Sequence, residues 1–357
     1  MNKTRIEWTD DIWNPVTGCT PVSEGCRHCY AKSMAIRNRG RFGYPKEKPF
    51  AVTLRPERLH EPYHIRKPSD IFVCSMGDLF HKCVPYPYIH SVFDRIWGTP
   101  RHTYRILTKR ADRMARFVRK TARAWRMGDE LSPEMIIHFE DLRSRCGWHI
   151  DVETEYRDIQ YGCRHPNNEN VLETDSCDEY RCPIAGVMFD RDGYEEIGIA
   201  DEYTFDENGE MTDECEMENE LLWMRVIGHP RHAWSRNAWL GISAENQERF
   251  DERTAEFSDI RLHAGRDSVL FASCEPLLGP IELRGAELDW IIAGGETGSK
   301  ARPMNLDWAR ALRDQCREAG VPFFYKGAGT ATMRKKDPEY LLLDGRVHHE
   351  MPNTQET

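Results

Sequence analysis

Asp289-Trp290-Ile291-Ile292-Ala293-Gly294-Gly295-Glu296 is a short apolar run that stops at two glycines and an acid. Leu306 to Ala319 follows with apolar residues at helical spacing, Asp307 in the first turn and Gly320 as a stop, and Pro322 to Tyr325 is a further short apolar run. Run, helix and run make a βαβ unit, whose two strands are parallel. Outward from it the same alternation recurs. Strands are predicted at Ile12 to Val16, Asp70 to Cys74, Thr103 to Leu107, Ala238 to Ile242 and Ser268 to Ala272, with helices at Tyr30 to Arg39, Pro87 to Trp97, Arg110 to Arg126 and Asn246 to Phe257. The expectation is an α/β fold with a parallel sheet, either a partial or full (β/α) barrel or an open doubly wound sheet.

The alternation breaks once, and charge breaks with it. Residues 1–126 hold 25 basic and 11 acidic side chains (+14), residues 127–225 hold 7 and 28 (-21), and residues 226–357 hold 17 and 20 (-3), which sum to the net charge of -10. An acidic piece between a basic and a near-neutral one reads as an inserted lobe with a solvated negative face. The expected organisation is therefore 1–126 as the first part of the barrel, 127–236 as the acidic insertion, 237–329 as the second part and 330–357 as a polar tail with a short apolar run at Leu341 to Leu343. Collagenous, coiled-coil and mini-protein classes are excluded at 357 residues and 39% hydrophobic composition. No window holds eighteen apolar residues, and Met1 to Asn14 has no secretory pattern, so the expected chain is cytoplasmic, with no membrane partner.

Parallel α/β folds gather chemistry where strands end at their carboxyl edge. The predicted strand ends are Gly18-Cys19, Ser75-Met76-Gly77-Asp78, Thr108-Lys109-Arg110, Ser243-Ala244-Glu245, Ser273-Cys274-Glu275 and Gly294-Gly295-Glu296. For any one acid alone, a helix-capping role is the simpler reading; Asp78, Glu245, Glu275 and Glu296 together suggest a shared ligand site. Lys109-Arg110 reads equally well as an anion site or as solvated charge. Trp13, Trp239, Trp290 and Trp308 read as core.

The segment after the first strand runs Cys19-Thr20-Pro21-Val22-Ser23-Glu24-Gly25-Cys26-Arg27-His28-Cys29-Tyr30-Ala31. Two residues between Cys26 and Cys29 let both thiolates turn to one metal centre, and the preceding Pro and Gly allow Cys19 to curl back to it. Three local thiolates leave two readings. Either His28 or a distant residue completes a closed zinc site, or the fourth position is open, as a catalytic four-iron centre requires. In the acidic stretch Cys146, Cys163, His165, Cys177 and Cys182 form a second concentration of ligands within 37 residues, a candidate site for Zn2+ (Cys163, His165, Cys177, Cys182), with free cysteines nearly as good an account.

Cys26-Arg27-His28-Cys29-Tyr30-Ala31 at the end of a first strand resembles the cluster loop of radical S-adenosylmethionine (SAM) enzymes, with six residues between the first two cysteines where those enzymes carry three. A wider likeness runs through Trp8-Thr9-Asp10, Trp13-Asn14-Pro15, Phe72 to Phe80, Leu107 to Arg110, Trp239 to Ser243, Ser273 to Leu277 and Gly294-Gly295-Glu296. These stretches resemble an uncharacterised phage-associated three-cysteine family, a domain of unknown function that is frequent in phages and mobile elements and similar to the radical SAM enzymes. The resemblance implies a fold of radical-SAM type in which Cys19, Cys26 and Cys29 hold a 4Fe-4S cluster whose open iron binds S-adenosylmethionine. It further implies cofactor contacts from Ser75, Met76, Gly77, Asp78, Lys109, Ser243, Glu245, Glu275, Gly294, Gly295 and Glu296. Asp78 would take the methionine amine, Ser243 and Glu245 would lie at the ribose, and the two glycines would admit the ligand closely. The expected activity is radical chemistry on a nucleobase or nucleic acid. The alternative is a non-catalytic, zinc-stabilised protein that binds nucleic acid or a partner protein encoded nearby.

Overall fold

The computed structural model describes residues 2–4, 6–130, 236–266 and 268–352. The chain divides into two compact units, residues 1–122 with 232–357, and residues 123–231. Of the second unit the described residues, 123–130, continue a helix that begins in the first. The ligands expected in the acidic stretch, Cys146, Cys163, His165, Cys177 and Cys182, lie outside the described residues.

The first unit is built on an eight-stranded sheet. In chain order its strands are β1 (Asn2–Lys3), β2 (Asp11–Trp13), β5 (Asp70–Val73), β6 (Thr103–Thr108), β7 (Ala238–Ser243), β8 (Leu270–Cys274), β9 (Trp290–Gly294) and β10 (Phe323–Gly327), and they pair in that same order. β1 is antiparallel to β2, and the seven others are mutually parallel, forming a curled half-barrel. The barrel expectation thus holds in its partial form. The remaining strands, β3 (Val16–Thr17) and β4 (Thr53–Leu54), make a separate antiparallel pair. β6 and β7 are register neighbours, with Tyr104 opposite Ala238, although more than a hundred residues separate them in the chain.

Between strands lie α1 (Tyr30–Arg37), α2 (Tyr86–Trp97), α3 (Ala111–Glu130), α4 (Gln247–Thr254), α5 (Phe257–Ala264) and α6 (Leu306–Ala319). α6 matches the sequence expectation at both ends: Asp307 lies in the first turn, where its amide donates to the Asn305 side-chain cap at 3.0 Å, and Gly320 takes the left-handed conformation that closes the last turn. Two expected elements divide. Ile12 to Val16 breaks at Asn14-Pro15, since proline has no amide to extend the ladder, and Asn14 Oδ1 instead accepts from the Met76 amide at 2.9 Å. The helix expected over Asn246 to Phe257 ends at Thr254, and α5 follows with Phe257, Ile260 and Ala264 buried on one side.

The expected polar tail is a structural element. Residues 348–350 lie antiparallel along β10, with the Tyr325 amide donating to His348 O at 2.7 Å and the Glu350 amide to Phe323 O at 3.2 Å. Tyr340 and Leu343 are buried. The tail and β1 therefore cover the two open edges of the sheet, groups that would otherwise offer unpaired backbone to another chain.

Alternation along the strands sets rows of side chains from the amino to the carboxyl end of one face. At the amino end Trp8, Trp239, Phe271, Trp290 and Phe324 pack as one cluster, with Trp290 edge-on to Trp8, Trp239 and Phe324. Arg105 is buried among them, its guanidinium 5.0 Å from the Trp239 ring centre and 5.3 Å from that of Trp290, while Nη2 donates to Asp70 at 2.8 Å. An aromatic side chain of this kind gains roughly 4–6 kcal/mol by leaving water, so the cluster closes the lower end firmly. At the carboxyl end the same rows finish in Lys109, Ser243, Ser273, Glu275 and Lys326. Trp13 is fully buried as expected, whereas Trp308 of α6 is only half-buried.

Candidate functional site

The three-cysteine loop lies across the carboxyl edge of the sheet, tied to successive strand ends. After β5, the Gly18 amide donates to Met76 O at 2.8 Å, and the Tyr30 hydroxyl donates to Ser75 O at 2.6 Å. Ser75 Oγ donates to Asn14 Oδ1 at 3.2 Å, so the Ser75-Met76-Gly77 turn is held from both sides. A side chain at Gly77 would meet Val16 O at 3.0 Å and Gly18 O at 3.1 Å, which ties that glycine to packing against the loop's own start.

After β6, Arg110 pairs with Asp78 at 2.7 Å and reaches Cys19 Sγ at 3.5 Å and Thr20 O at 3.1 Å. Asp78 also accepts from Thr108 Oγ1 at 2.7 Å and from the Phe80 amide at 3.0 Å. After β7, the fully buried Glu245 accepts from Lys109 Nζ at 3.3 Å, from Arg253 at 3.2 Å and from the Gly25 amide of the loop at 3.3 Å. Ser243 Oγ takes a further bond from Lys109 at 3.0 Å and donates to Glu275 O at 3.3 Å. Burial works against the charged form of Glu245, but Lys109, Ser23, Arg253 and the Gly25 amide outweigh it and hold the carboxyl below its ordinary range.

After β9, Glu296 receives Arg302 on both oxygens, at 2.7 and 2.9 Å, and His28 Nδ1 at 3.1 Å. Burial again opposes ionisation; the side-chain and amide bonds from Arg302 and the bond from His28 prevail and bring the carboxyl down to about 2. Arg302 also donates to Glu24 O, so this acid too is anchored to the loop. Asp78, Glu245 and Glu296 are consequently not helix caps, a role that falls to Asn246 for α4 and Asn305 for α6. They are the acidic halves of ion pairs that hold the cysteine loop down.

Glu275, after β8, differs. Oε2 accepts from Lys326 Nζ of β10 at 2.5 Å, while Oε1 is buried with no hydrogen-bond partner among the described residues. Gly294 stands beside it, and at Gly295 a β-carbon would fall 2.3 Å from Ala328 O. The close approach that this glycine permits is by the chain after β10, so the space reserved for a ligand in the sequence reading is taken by backbone.

Cys19, Cys26 and Cys29 are free and half-exposed, whereas Cys74, Cys274 and Cys316 are buried. Burial and the nearby Asp78 push the Cys19 thiol up to about 11, with Arg110 working in the opposite direction. Its Sγ donates to Thr20 O at 3.4 Å, and Cys26 Sγ lies 3.9 Å from Ser23 Oγ. Among the described residues no three His, Cys, Asp or Glu side chains are gathered round one point as a ready metal site. The donor chemistry nevertheless suits a thiolate-bound centre: three free cysteines share one loop, and the Arg110 guanidinium beside the first offsets part of the burial that opposes its thiolate. The sequence reading gave no role to Arg302, Lys326 or Asn14, because isolated cations and an Asn-Pro pair are silent until the fold brings them to the edge.

Among the described residues no helix is long and apolar enough to cross a membrane. The chain belongs to a family described as a protein of unknown function, DUF5131, whose model matches residues 3–160 and 203–352. No curated protein and no solved structure matches the chain.

Proposed function

We propose that this member of the family is an iron–sulfur enzyme of radical SAM type that acts on a nucleobase or nucleic acid. The observation that carries this reading is the position of Cys19, Cys26 and Cys29: free thiols on a loop across the carboxyl edge of a curled parallel sheet, where such folds concentrate chemistry. Cys19, Cys26 and Cys29 would hold the cluster, which with S-adenosylmethionine supplies one-electron chemistry able to remove hydrogen from an unreactive carbon. The protein's own residues have the work of placing and shielding. Asp78, Glu245 and Glu296 fix the loop through Arg110, the Gly25 amide, His28 and Arg302. Glu275 is the acid left to receive a ligand amine, since its Oε1 is buried and unpartnered while Asp78 is already saturated. Anaerobic incubation with S-adenosylmethionine and dithionite is the test. Release of 5'-deoxyadenosine by the wild type and none by Cys26→Ala supports the reading; no release from iron-loaded protein refutes it.

One observation favours a second reading. His28 presents Nδ1 to Glu296, the orientation that frees Nε2 for a metal and is common behind ligating histidines. In that reading Cys19, Cys26, Cys29 and His28 bind Zn2+ in a closed structural site, and the protein binds nucleic acid or a partner protein without catalysis. Metal analysis after expression separates the two, because zinc with no sulfide belongs to the second alone.

A further inference from the structure

Residues 27–48 run directly on from the cysteine loop and carry seven cations, Arg27, Lys32, Arg37, Arg39, Arg41, Lys46 and Lys48, against one acid, Glu47, a local charge of +6 in a chain whose net charge is -10. All seven are exposed, and among the described residues none takes part in an ion pair. Elsewhere on the unit Arg249, Arg284, Arg310 and Arg313 are exposed or half-exposed and each is paired with an acid, while exposed cations without an ion pair among the described residues, such as Lys82 and Arg266, are more scattered along the chain. Seven unpaired like charges repel one another, and an anion laid across them would relieve that repulsion.

Apolar side chains are exposed in the same stretch. Of the eight large hydrophobic residues exposed among the described residues, four fall within it, Tyr30, Met34, Ile36 and Phe42, and Val22 lies shortly before. On α1 the inward positions are Ala31 and Ala35, so the helix sits close on small side chains. Its outward lines then mix apolar and basic residues, Tyr30-Met34-Arg37 at i, i+4 and i+7 and Lys32-Ile36 at i and i+4.

Phe42 is the most telling member. It is 74% exposed and holds φ at +51°, a conformation that a bulky side chain rarely adopts. The turn that presents it is well made: the Gly40 amide donates to Tyr44 O at 2.9 Å, the Arg41 amide to Asn38 O at 2.8 Å and the Tyr44 amide to Arg41 O at 2.9 Å. Arg55 fastens the turn to the root of the cysteine loop, donating to Gly43 O at 2.6 Å and to Thr17 Oγ1 at 3.1 Å. Gly43 holds φ at +80°, where a side chain is strained, and a β-carbon there would also press on that guanidinium. An aromatic ring held outward on an anchored turn gains nothing for the fold; strain at such a place is a mark of function.

We infer that residues 27–48 form a docking surface for single-stranded nucleic acid, with the cations tracking the phosphates and Phe42 stacking on a base. A polyanion answers the unpaired charge, and a stackable base answers the exposed ring; flat π faces interleaved with basic residues are how sequence-tolerant single-strand binding is built. The surface deepens the reading of the cysteine loop as a catalytic centre by naming the class of substrate delivered to it. Its binding step does not depend on that reading.

Anisotropy of labelled 12-nucleotide single-stranded DNA and RNA, the matching duplex, and phosphatidylserine vesicles, each titrated with the full-length chain, tests the inference. Single strands are expected to bind more tightly than duplex or vesicles, with affinity falling steeply with salt. Phe42→Ala should weaken single-strand binding roughly 10-fold and leave duplex binding unchanged. A combined Arg39→Glu, Arg41→Glu, Lys46→Glu variant should weaken all polyanion binding and flatten the salt dependence. Preserved thermal unfolding in both variants shows that the exposed positions have not disturbed the fold. No binding by the wild type, vesicle binding tighter than single-strand binding, or single-strand affinity indifferent to both variants overturns the proposal. Cys26→Ala separates the two readings: retained binding with lost deoxyadenosine release keeps the surface, and failure of the surface variants leaves the cluster test untouched.

Discussion

Glu296 is an acid whose neighbours decide its charge. Its folded carboxyl lies near 2 against an ordinary 4.5, because Arg302 and His28 favour the ionised form more than burial opposes it. A depressed acid stabilises the fold fully above its unfolded value and loses that contribution as pH falls through the folded one. Glu296→Gln should therefore be less stable than wild type at pH 6, with the difference closing between about pH 4.5 and pH 2; parallel curves in chemical unfolding across that window would contradict the assignment. Gly295 makes a steric case. Gly295→Ala places a methyl 2.3 Å from Ala328 O, a backbone atom that cannot swing aside. The expected cost is about 1–3 kcal/mol, read as a lower denaturation midpoint with an unchanged m-value.

Among elements, those carrying their own signals were legible and those defined by distant partners were not. α6 was readable from Asp307 and Gly320, and the parallel strands from apolar runs that stop at small polar residues. The C-terminal segment was not, because His348, His349 and Glu350 look like tail until β10 supplies their backbone partners. At the site, the strand-end acids were legible as a group, but their partners were not: Asp78, Glu245 and Glu296 are the counter-ions of Arg110, Lys109 and Arg302. Lys109 and Arg110 stand far from their acids in the sequence and read equally well as solvated charge, and Arg302 is an isolated cation with no signal of its own. Deleting residues 345–357 tests the tail's role directly. Trp290 loses the bond from Nε1 to Glu350 O and β10 loses its outer neighbour. The expected result is a fall in thermal midpoint with a loss of near-ultraviolet tryptophan signal, whereas a truncated chain as stable as the intact one would show that β10 needs no cover.

The whole first unit is a half-barrel with an aromatic lower end, a polar upper end and a cysteine loop stitched over the top. Rigid packing below and a multiply anchored loop above suit a site whose metal must be held in one place. The basic residues 27–48 run directly on from that loop. Metal content separates the two proposed readings, so iron and acid-labile sulfide should be measured per chain after anaerobic reconstitution, in wild type and in Cys26→Ala. About four of each in the wild type, with a broad visible absorbance that Cys26→Ala lacks, is the predicted result. A colourless wild-type protein that takes up zinc alone would contradict it.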